Sequence, residues 1–350
     1  MNTLKNIPSL DLAKFLCALL ILFYHYFSEQ PNPIPWVLEE SLSLYAVAVA
    51  LFMSISGFLV YRKLATLTTR VERWCYIKKQ VGRILLIYGL WSIPYLIFNI
   101  SRWNVDEINL SFVLWQIQGW VFRSTFHTIW FLPALAIGLL LSFVLTEYFT
   151  KSKQYITALL VYIVGAFLST YGFVGKQILP IWDVVHNFVD TWLGGTRGGI
   201  FYALPLIMVG RLLTINKQTK NIRYYFSFSI LSMLALVLEA ICLRCVANAH
   251  TGIDNAVCML VVVFYILSFL LEVRLPMRAY CIWMRKMSIL VFVTQRLFLT
   301  VLRTIFVSLY TSNFYTNVWK GFLIICGADI LFCMLILLIS KKVYIMRKLY

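Results

Sequence analysis

The sequence LDLAKFLCALLILFYHYF, residues 10–27, is long and apolar enough to cross a lipid bilayer as a single helix. A membrane-spanning helix needs about 20 mainly apolar residues. An apolar segment near the start of a chain can also be a signal peptide, but no small-x-small cleavage site follows this one, and Asp11, Lys14 and His25 interrupt it. We therefore predict a retained first membrane span.

Apolar runs of similar length recur along all 350 residues, of which 61% are hydrophobic and 13% are charged. Soluble domains have roughly 45–50% apolar and about 25% charged residues, so lipid is the solvent that suits this chain. The sequence predicts an all-α polytopic integral membrane protein with about ten transmembrane helices in one domain, residues 1–350. The runs lie at about 10–27, 42–61, 82–100, 129–148, 155–171, 198–213, 224–246, 255–272, 287–309 and 319–340.

The formal net charge of +17 comes mostly from alternate loops, as the positive-inside rule expects, so it requires no nucleic-acid partner. We predict that both termini are cytoplasmic and that the protein is a multi-pass protein of the cell inner (plasma) membrane. The basic loops carry Arg62, Lys63, Arg70, Arg73, Lys78, Lys79, Arg83, Lys151, Lys153, Lys217, Lys220, Arg223, Arg274, Arg278, Arg285 and Lys286. The alternate loops carry only Arg102, Arg123, Lys176 and Arg197.

Two of the predicted outer loops are long. The first, about 101–128, contains an aromatic stretch, 112–122, that is too short to span and is typical of an interfacial or re-entrant helix. The second, about 172–197, contains Trp182, Asp183, His186, Asp190 and Trp192. Such a loop is either an ordered cover over a binding site or a mobile solvated segment.

Three ionisable residues lie in the first span, on one helix face. Lys14 and His25 are eleven residues apart, which corresponds to about 16 Å along a helix axis, and Asp11 lies one turn before Lys14. Charged groups inside a membrane usually face a polar interior. A histidine can act as a general base near neutral pH, and a lysine can hold an anion. The alternative is that His25 is interfacial and Lys14 extends to the headgroups.

Four motifs resemble those of the membrane-bound acyltransferase family 3, whose members O-acetylate cell-surface glycans and related acceptors. SLDLAKFL at 9–16, continuing to His25, is similar to the family's basic-x10-His pattern. LFMSISGFL at 51–59 and IWFLPAL at 129–135 resemble its FFxxSGFL and LWFLPAL segments. TRGGIF at 196–201, followed by Pro205 and Gly210, resembles TRNGLF. The four occur in the family's order and cover most of the predicted core.

The resemblance implies an O-acyltransferase that uses cytoplasmic acetyl-CoA, or another acyl-CoA, as the donor and holds no tightly bound cofactor. The acceptor would be a hydroxyl of an outward-facing glycan or lipid-linked sugar. By this resemblance His25 is the catalytic base or acyl carrier, and Lys14 is the cation on the donor side. The residues that we assign to substrate binding are Asp11, Ser56, Trp130, Arg197 and Gln295. Close helix packing is the stronger interpretation of Ser56 and Gly57.

The chain departs from the family pattern at three positions. His127 lies three residues before Trp130 rather than two, glycine occupies position 198 where asparagine is usual, and Gln295 stands where histidine is common. A related branch of the family comprises membrane domains attached to amino-acid racemases, for which transport has been proposed. A small-molecule transporter, for example of amino acids, is therefore the alternative function. The spacing of the four histidines does not match a zinc site, so we expect no metal.

Overall fold

The computed structural model describes residues 6–28, 45–103, 108–126, 128–215, 220–247, 252–305 and 318–350. The described chain is helical throughout, with no strand in these ranges. Its α-helices are α1 (Pro8–Phe27), α2 (Tyr45–Leu64), α3 (Arg70–Ile100), α4 (Leu110–Phe122), α5 (Phe131–Tyr148), α6 (Lys151–Leu168), α7 (Gly172–Ile178), α8 (Trp182–Trp192), α9 (Leu204–Ile215), α10 (Ile222–Ala247), α11 (Val257–Glu272), α12 (Ala279–Ile305) and α13 (Val318–Lys342). A π-helical turn, Gly199–Ala203, leads into α9, and a 3-10 helix, Tyr344–Leu349, follows α13.

Each of the ten predicted apolar runs overlaps a helix of the described residues, but the runs differ in length and polarity. Within the described residues, six helices are long and apolar enough to cross a membrane: Pro8–Phe27, Tyr45–Leu64, Arg70–Ile100, Phe131–Tyr148, Ile222–Val246 and Trp319–Lys342. There are seven if α6 and α7, bent by 85° to one another, form a single span. The protein is thus a multi-pass membrane protein, whereas the number ten and the cytoplasmic termini stay predictions.

The centre of the bundle is the contact between α2 and α9. Helix α2 is buried along most of its length. A Cβ atom on Gly57 would lie 2.5 Å from the Ile207 carbonyl oxygen, so the two backbones are in direct contact at this point. The Ser54 hydroxyl also donates a hydrogen bond of 2.7 Å to the Leu206 carbonyl. Small residues allow this approach, as in other membrane helix pairs.

Contacts between elements distant in sequence define the two ends of the bundle. At one end, called here the Lys14 end, Ser9 donates to the Leu270 carbonyl at 2.6 Å and Arg285 contacts Asp11. The start of α1, the end of α11 and the start of α12 therefore lie together. At the opposite end, called the His25 end, the Tyr202 hydroxyl donates to the Ala46 carbonyl at 3.3 Å.

Candidate functional site

His25 lies in the last turn of α1, beside the first turn of α2. Its ring centroid is 6.3 Å from that of Tyr45 and 5.3 Å from that of Tyr24. Tyr24 and Tyr45 are stacked, with centroids 3.5 Å apart and ring planes 11° from parallel. The imidazole therefore lies beside two stacked tyrosine rings, which join the end of α1 to the start of α2.

Arg197 and Asp254 form an ion pair near these aromatic rings. Arg197 lies in the segment between α8 and the π-helical turn, and Asp254 lies just before α11. The Arg197 segment leads into the π-helical turn, whose Tyr202 hydroxyl donates to the carbonyl of Ala46, next to Tyr45, so the ion pair lies at the same end of the bundle as His25. Asp254 raises the pKa of Arg197 above its already high value, so the guanidinium stays charged at any physiological pH.

The segment that carries Asp254 is fixed by hydrogen bonds to the turn after α6 and to the Arg197 segment. The Thr170 hydroxyl donates to the Gly252 carbonyl at 2.9 Å, and Asn255 Nδ2 donates to the Thr196 carbonyl at 3.4 Å. A Cβ atom on Gly252 would lie 2.9 Å from the Arg197 guanidinium, so glycine leaves room for the ion pair. Sequence reasoning missed Asp254. The signal that could have identified it is an acidic residue at the predicted outer end of the run 255–272. Arg197 was already a candidate cation on the same side of the membrane.

A cavity of about 580 Å³ opens beside Arg197, within the size range of small-molecule sites. Trp130 and Arg197, both predicted substrate-binding residues, line it. Its other side is built by α4 and the end of α8, where Arg123 Nη1 lies 3.7 Å from Asp190 Oδ2. The remaining lining residues are Asn99, Trp115, Gln116, Gly119, Trp120, Ser124, Thr125, Phe126, Gly194, Gly195 and Thr196. Flat aromatic faces and hydrogen-bonding groups thus share one space.

The turn that closes this cavity requires glycine. Gly194 has φ = +78°, which is in the left-handed region, and Gly195 has φ = +73°. A Cβ atom on Gly194 would also collide with the Phe122 carbonyl oxygen. The two glycines therefore bring the end of α8 against the end of α4.

Lys14 lies about three helical turns before His25 in α1, toward the N-terminal end of the helix. Its ammonium is 5.8 Å from the centre of the Phe52 ring. Asp11 accepts two hydrogen bonds from Arg285, at 2.8 Å from Nε and 2.7 Å from Nη2. The Arg285 guanidinium also donates to Asn6 at 3.1 Å. The sequence assigned Asp11 to substrate binding; the structure places both of its carboxylate oxygens in this ion pair.

The two other predicted binding residues have local partners. The Ser56 hydroxyl donates to the Phe52 carbonyl of its own helix at 2.8 Å. Gln295 is fully buried in α12, where its Nε2 donates to the Phe292 carbonyl at 3.1 Å and its Oε1 has no partner among the described residues. Neither residue lines the cavity. His127 lies outside the described residues.

The comparison with protein families agrees with the motifs. A family model described as an acyltransferase domain, acyltransferase family 3, matches residues 7–338. The chain belongs to acyltransferase family 3. The first of the four motifs lies on α1, and all four fall within the residues that the family model matches.

The chain is also similar to part of several longer proteins. An amino-acid racemase of Enterococcus faecalis is 27% identical over 245 residues, which are 67% of this chain and 32% of that protein. A serine/alanine racemase of Enterococcus gallinarum is 25% identical over 205 residues, which are 57% of this chain and 28% of that protein. The chain thus spans about a third of the length of these relatives. No solved structure matches it significantly.

Proposed function

We propose that the protein is an O-acyltransferase that moves an acyl group, in the first instance acetyl, from cytoplasmic acyl-CoA to a hydroxyl of an outward-facing glycan or lipid-linked sugar. The observation that carries the proposal is that His25, beside Tyr45, lies at the same end of the bundle as the Arg197–Asp254 pair and a polar, aromatic cavity, although His25 is not itself a lining residue of that cavity. Family membership over residues 7–338 supports the reaction class.

In this proposal the acceptor enters the cavity and its hydroxyl approaches His25. The imidazole nitrogen takes the hydroxyl proton while the acceptor oxygen attacks the thioester carbonyl carbon. The carbon–sulfur bond then breaks, and the CoA thiolate leaves and is protonated. In this proposal Arg197, which Asp254 holds in place, stabilises the developing negative charge, a role that such groups fill in other acyl transfers.

The donor would bind through its phosphates at the Lys14 end. Lys14 is a cation within the bundle, and Arg285 is partly satisfied by Asp11 while its side chain remains 42% exposed. The distance of about 16 Å from Lys14 to His25 along the helix is then the length over which the acyl-bearing arm extends. No nucleotide-binding motif is needed for this arrangement.

The test is acetylation by purified protein in the presence of acetyl-CoA, comparing wild type with His25→Gln. Glutamine retains a hydrogen-bonding group but is not a base near neutral pH, so transfer should fall by about 10²–10⁴-fold. Lys14→Ala should impair transfer and Lys14→Arg should preserve more of it, because arginine retains the positive charge. Transfer by His25→Gln at a rate near that of wild type would contradict the catalytic role.

Transport of a small molecule, for example an amino acid, is the second candidate. The observation that favours it is the similarity to part of the two racemases. A transporter needs His25 as a polar contact rather than as a base. His25→Gln would then retain uptake by protein in vesicles, whereas wild type would acetylate no acceptor.

A further inference from the structure

Helices α4 and α8 both expose an apolar stripe on one side. On α4 the stripe consists of Leu110, Leu114, Ile117 and Val121, which are between 43% and 74% exposed. Their spacing of four, three and four residues keeps them within about 60° of one another around the helix. No residue of α4 is buried. This helix therefore has a face that the rest of the described protein does not cover.

Helix α8 is divided into three sides. Val184 and Phe188 are 71% and 55% exposed, and Ile181 and Trp192 continue their stripe at either end. Trp182 and Val189 face the protein and pack in a cluster with Leu168 and Phe201. Asp183 and Asn187 are exposed on the third side. An apolar stripe between a buried side and a polar side is typical of a helix that lies in a membrane interface.

The two helices are joined at their ends. The Phe122 and Trp192 rings meet edge to face with centroids 5.8 Å apart. Gln118 Nε2 donates to the Thr191 carbonyl at 3.4 Å, and Arg123 contacts Asp190. The pair forms one surface, called here the α4–α8 platform, and two of the residues at its ends, Arg123 and Asp190, also line the cavity.

Helix α3, which is long and apolar enough to cross the membrane, also exposes apolar side chains near its end, where Trp103 packs against Phe112 of α4. Ile93, Ile97 and Ile100 of α3 are 55%, 66% and 49% exposed and lead toward α4 at the His25 end. Of the few cations at this end, three lie over aromatic rings. Arg102 is 4.0 Å from the Phe98 centroid, Arg123 is 5.6 Å from that of Trp115, and Lys176 is 5.0 Å from that of Trp182. Aromatic rings with adjoining cations are found at the level of the lipid headgroups.

We propose that the α4–α8 platform lies in the headgroup region of the bilayer and admits a lipid-anchored acceptor to the cavity beneath it. The partner of this surface is the membrane lipid. The acceptor's apolar anchor stays in the bilayer along the exposed stripes, and its polar headgroup enters between Arg123, Asp190 and Trp130. The location of the platform is independent of the reaction, whereas the entry of the acceptor rests on the proposed function.

The location is tested with nitroxide labels on protein reconstituted into vesicles of phosphatidylethanolamine and phosphatidylglycerol. Labels at Leu114→Cys and Val184→Cys are placed in a chain whose accessible cysteines, Cys75, Cys242, Cys245, Cys258 and Cys326, are replaced by serine. Both labels should collide with oxygen more than with a water-soluble nickel chelate. A label at Asp183→Cys, the neighbour of Val184 on the polar side, should show the reverse. A water-exposed label at Val184 would overturn the proposal.

The entry of the acceptor is tested with two probes that share one sugar, dodecyl β-glucoside in the vesicles and methyl β-glucoside in solution. Phe188→Glu puts a charge on the apolar stripe and should raise KM for the dodecyl probe alone. Asn187→Glu, on the polar side of the same helix, should change neither KM. Equal effects of Phe188→Glu on both probes, or none, would overturn the entry route. A wild-type protein that acetylates neither probe would count against the proposed function, while the label depths would still decide the location.

Discussion

Asp254 and Arg197 are paired but differ in their contact with solvent. The Asp254 side chain is 8% exposed, whereas that of Arg197 is 49% exposed. When one partner of an ion pair is removed, the cost depends on whether the remaining charge can be hydrated. Without Asp254, the arginine still reaches water. Without Arg197, a carboxylate is left buried and unpaired.

This asymmetry predicts that Arg197→Gln destabilises the fold more than Asp254→Asn does. We expect the first substitution to lower the free energy of unfolding by about 3–5 kcal/mol, the range for an ion pair that leaves a buried charge uncompensated. The second should cost about 1 kcal/mol or less, as for an exposed pair. Thermal unfolding of the variants in detergent measures both. Asp183→Asn, which breaks an exposed pair with Lys176, is the control and should leave the melting temperature unchanged. Equal decreases in the free energy of unfolding for Arg197→Gln and Asp254→Asn would contradict the difference in burial between the two side chains.

Arg197 and Asp254 show which residues of the site can be predicted from the sequence and which cannot. Arg197 and Trp130 were identified because they stand in motifs, and His25 was identified first as an ionisable residue in the first span and then by a motif. Asp254 and Tyr45 belong to no such motif, and their importance arises from contacts across the bundle. Asp11 was found but its partner Arg285 was assigned only to a basic loop, because 274 positions separate the two residues.

At the scale of elements, the SGFL segment determines how closely α2 can approach α9. Gly57 has no Cβ atom, and Ile207 backbone atoms occupy the space where one would lie: the oxygen at 2.5 Å and the Cα at 2.8 Å. Backbone atoms cannot rotate away as side chains do. The packing interpretation therefore has a direct structural basis at Gly57, whereas the Ser56 hydroxyl bonds to the Phe52 carbonyl of its own helix.

Gly57→Ala is predicted to destabilise the protein by about 1–3 kcal/mol, the usual cost of adding a methyl group to a filled core. Gly82→Ala is the matched control, because Gly82 lies within α3 and a Cβ atom there has no neighbour within 4 Å. Alanine should stabilise that helix by roughly 0.5–1 kcal/mol, since glycine is the poorer helix former. Melting temperatures measured in one detergent compare the two. An unchanged melting temperature for Gly57→Ala would mean that α2 and α9 can move apart without loss of stability.

Helix α3 shows how an element extends beyond the predicted run. The apolar run begins near residue 82, but the helix begins at Arg70. Thr69 and Glu72 form a reciprocal capping box, in which the Glu72 amide donates to Thr69 Oγ1 at 3.2 Å and the Thr69 amide donates to Glu72 Oε2 at 3.1 Å. Hydropathy locates the membrane-embedded part of such a helix. Its polar first turns are specified by capping residues instead.

At the scale of the whole molecule, the apolar runs predicted a helix at every position where they occur. They did not determine which helices cross the bilayer. The run at 198–213 begins as a π-helical turn, and α11 has only 16 residues. The run at 287–309 lies on α12, which carries Arg285, Lys286 and Arg296. Charges and short lengths can be accommodated by neighbouring helices, and hydropathy along one segment contains no information on those neighbours.

The orientation of the bundle provides the final prediction. Helix α3 has 31 residues and is therefore about 46 Å long, more than the roughly 30 Å of the hydrocarbon core. Its first turns, rich in basic residues and including Lys79, must project beyond the core on one side. The positive-inside rule predicts that this side is the cytoplasm, together with the loop at Lys220.

Fusions at Lys79 and Lys220 should therefore fluoresce with a green fluorescent protein reporter and lack alkaline phosphatase activity. Fusions at Asn104 and Thr316, which lie outside the described residues, should show the opposite pair of signals. Each pair of sites is an internal control, because the two reporters are active on opposite sides of the membrane. Phosphatase activity at Lys79 would mean that the bundle has the opposite orientation, with the Lys14 end outside. Acyl-CoA could not then reach that end from the cytoplasm, and the proposed direction of acyl transfer would be wrong.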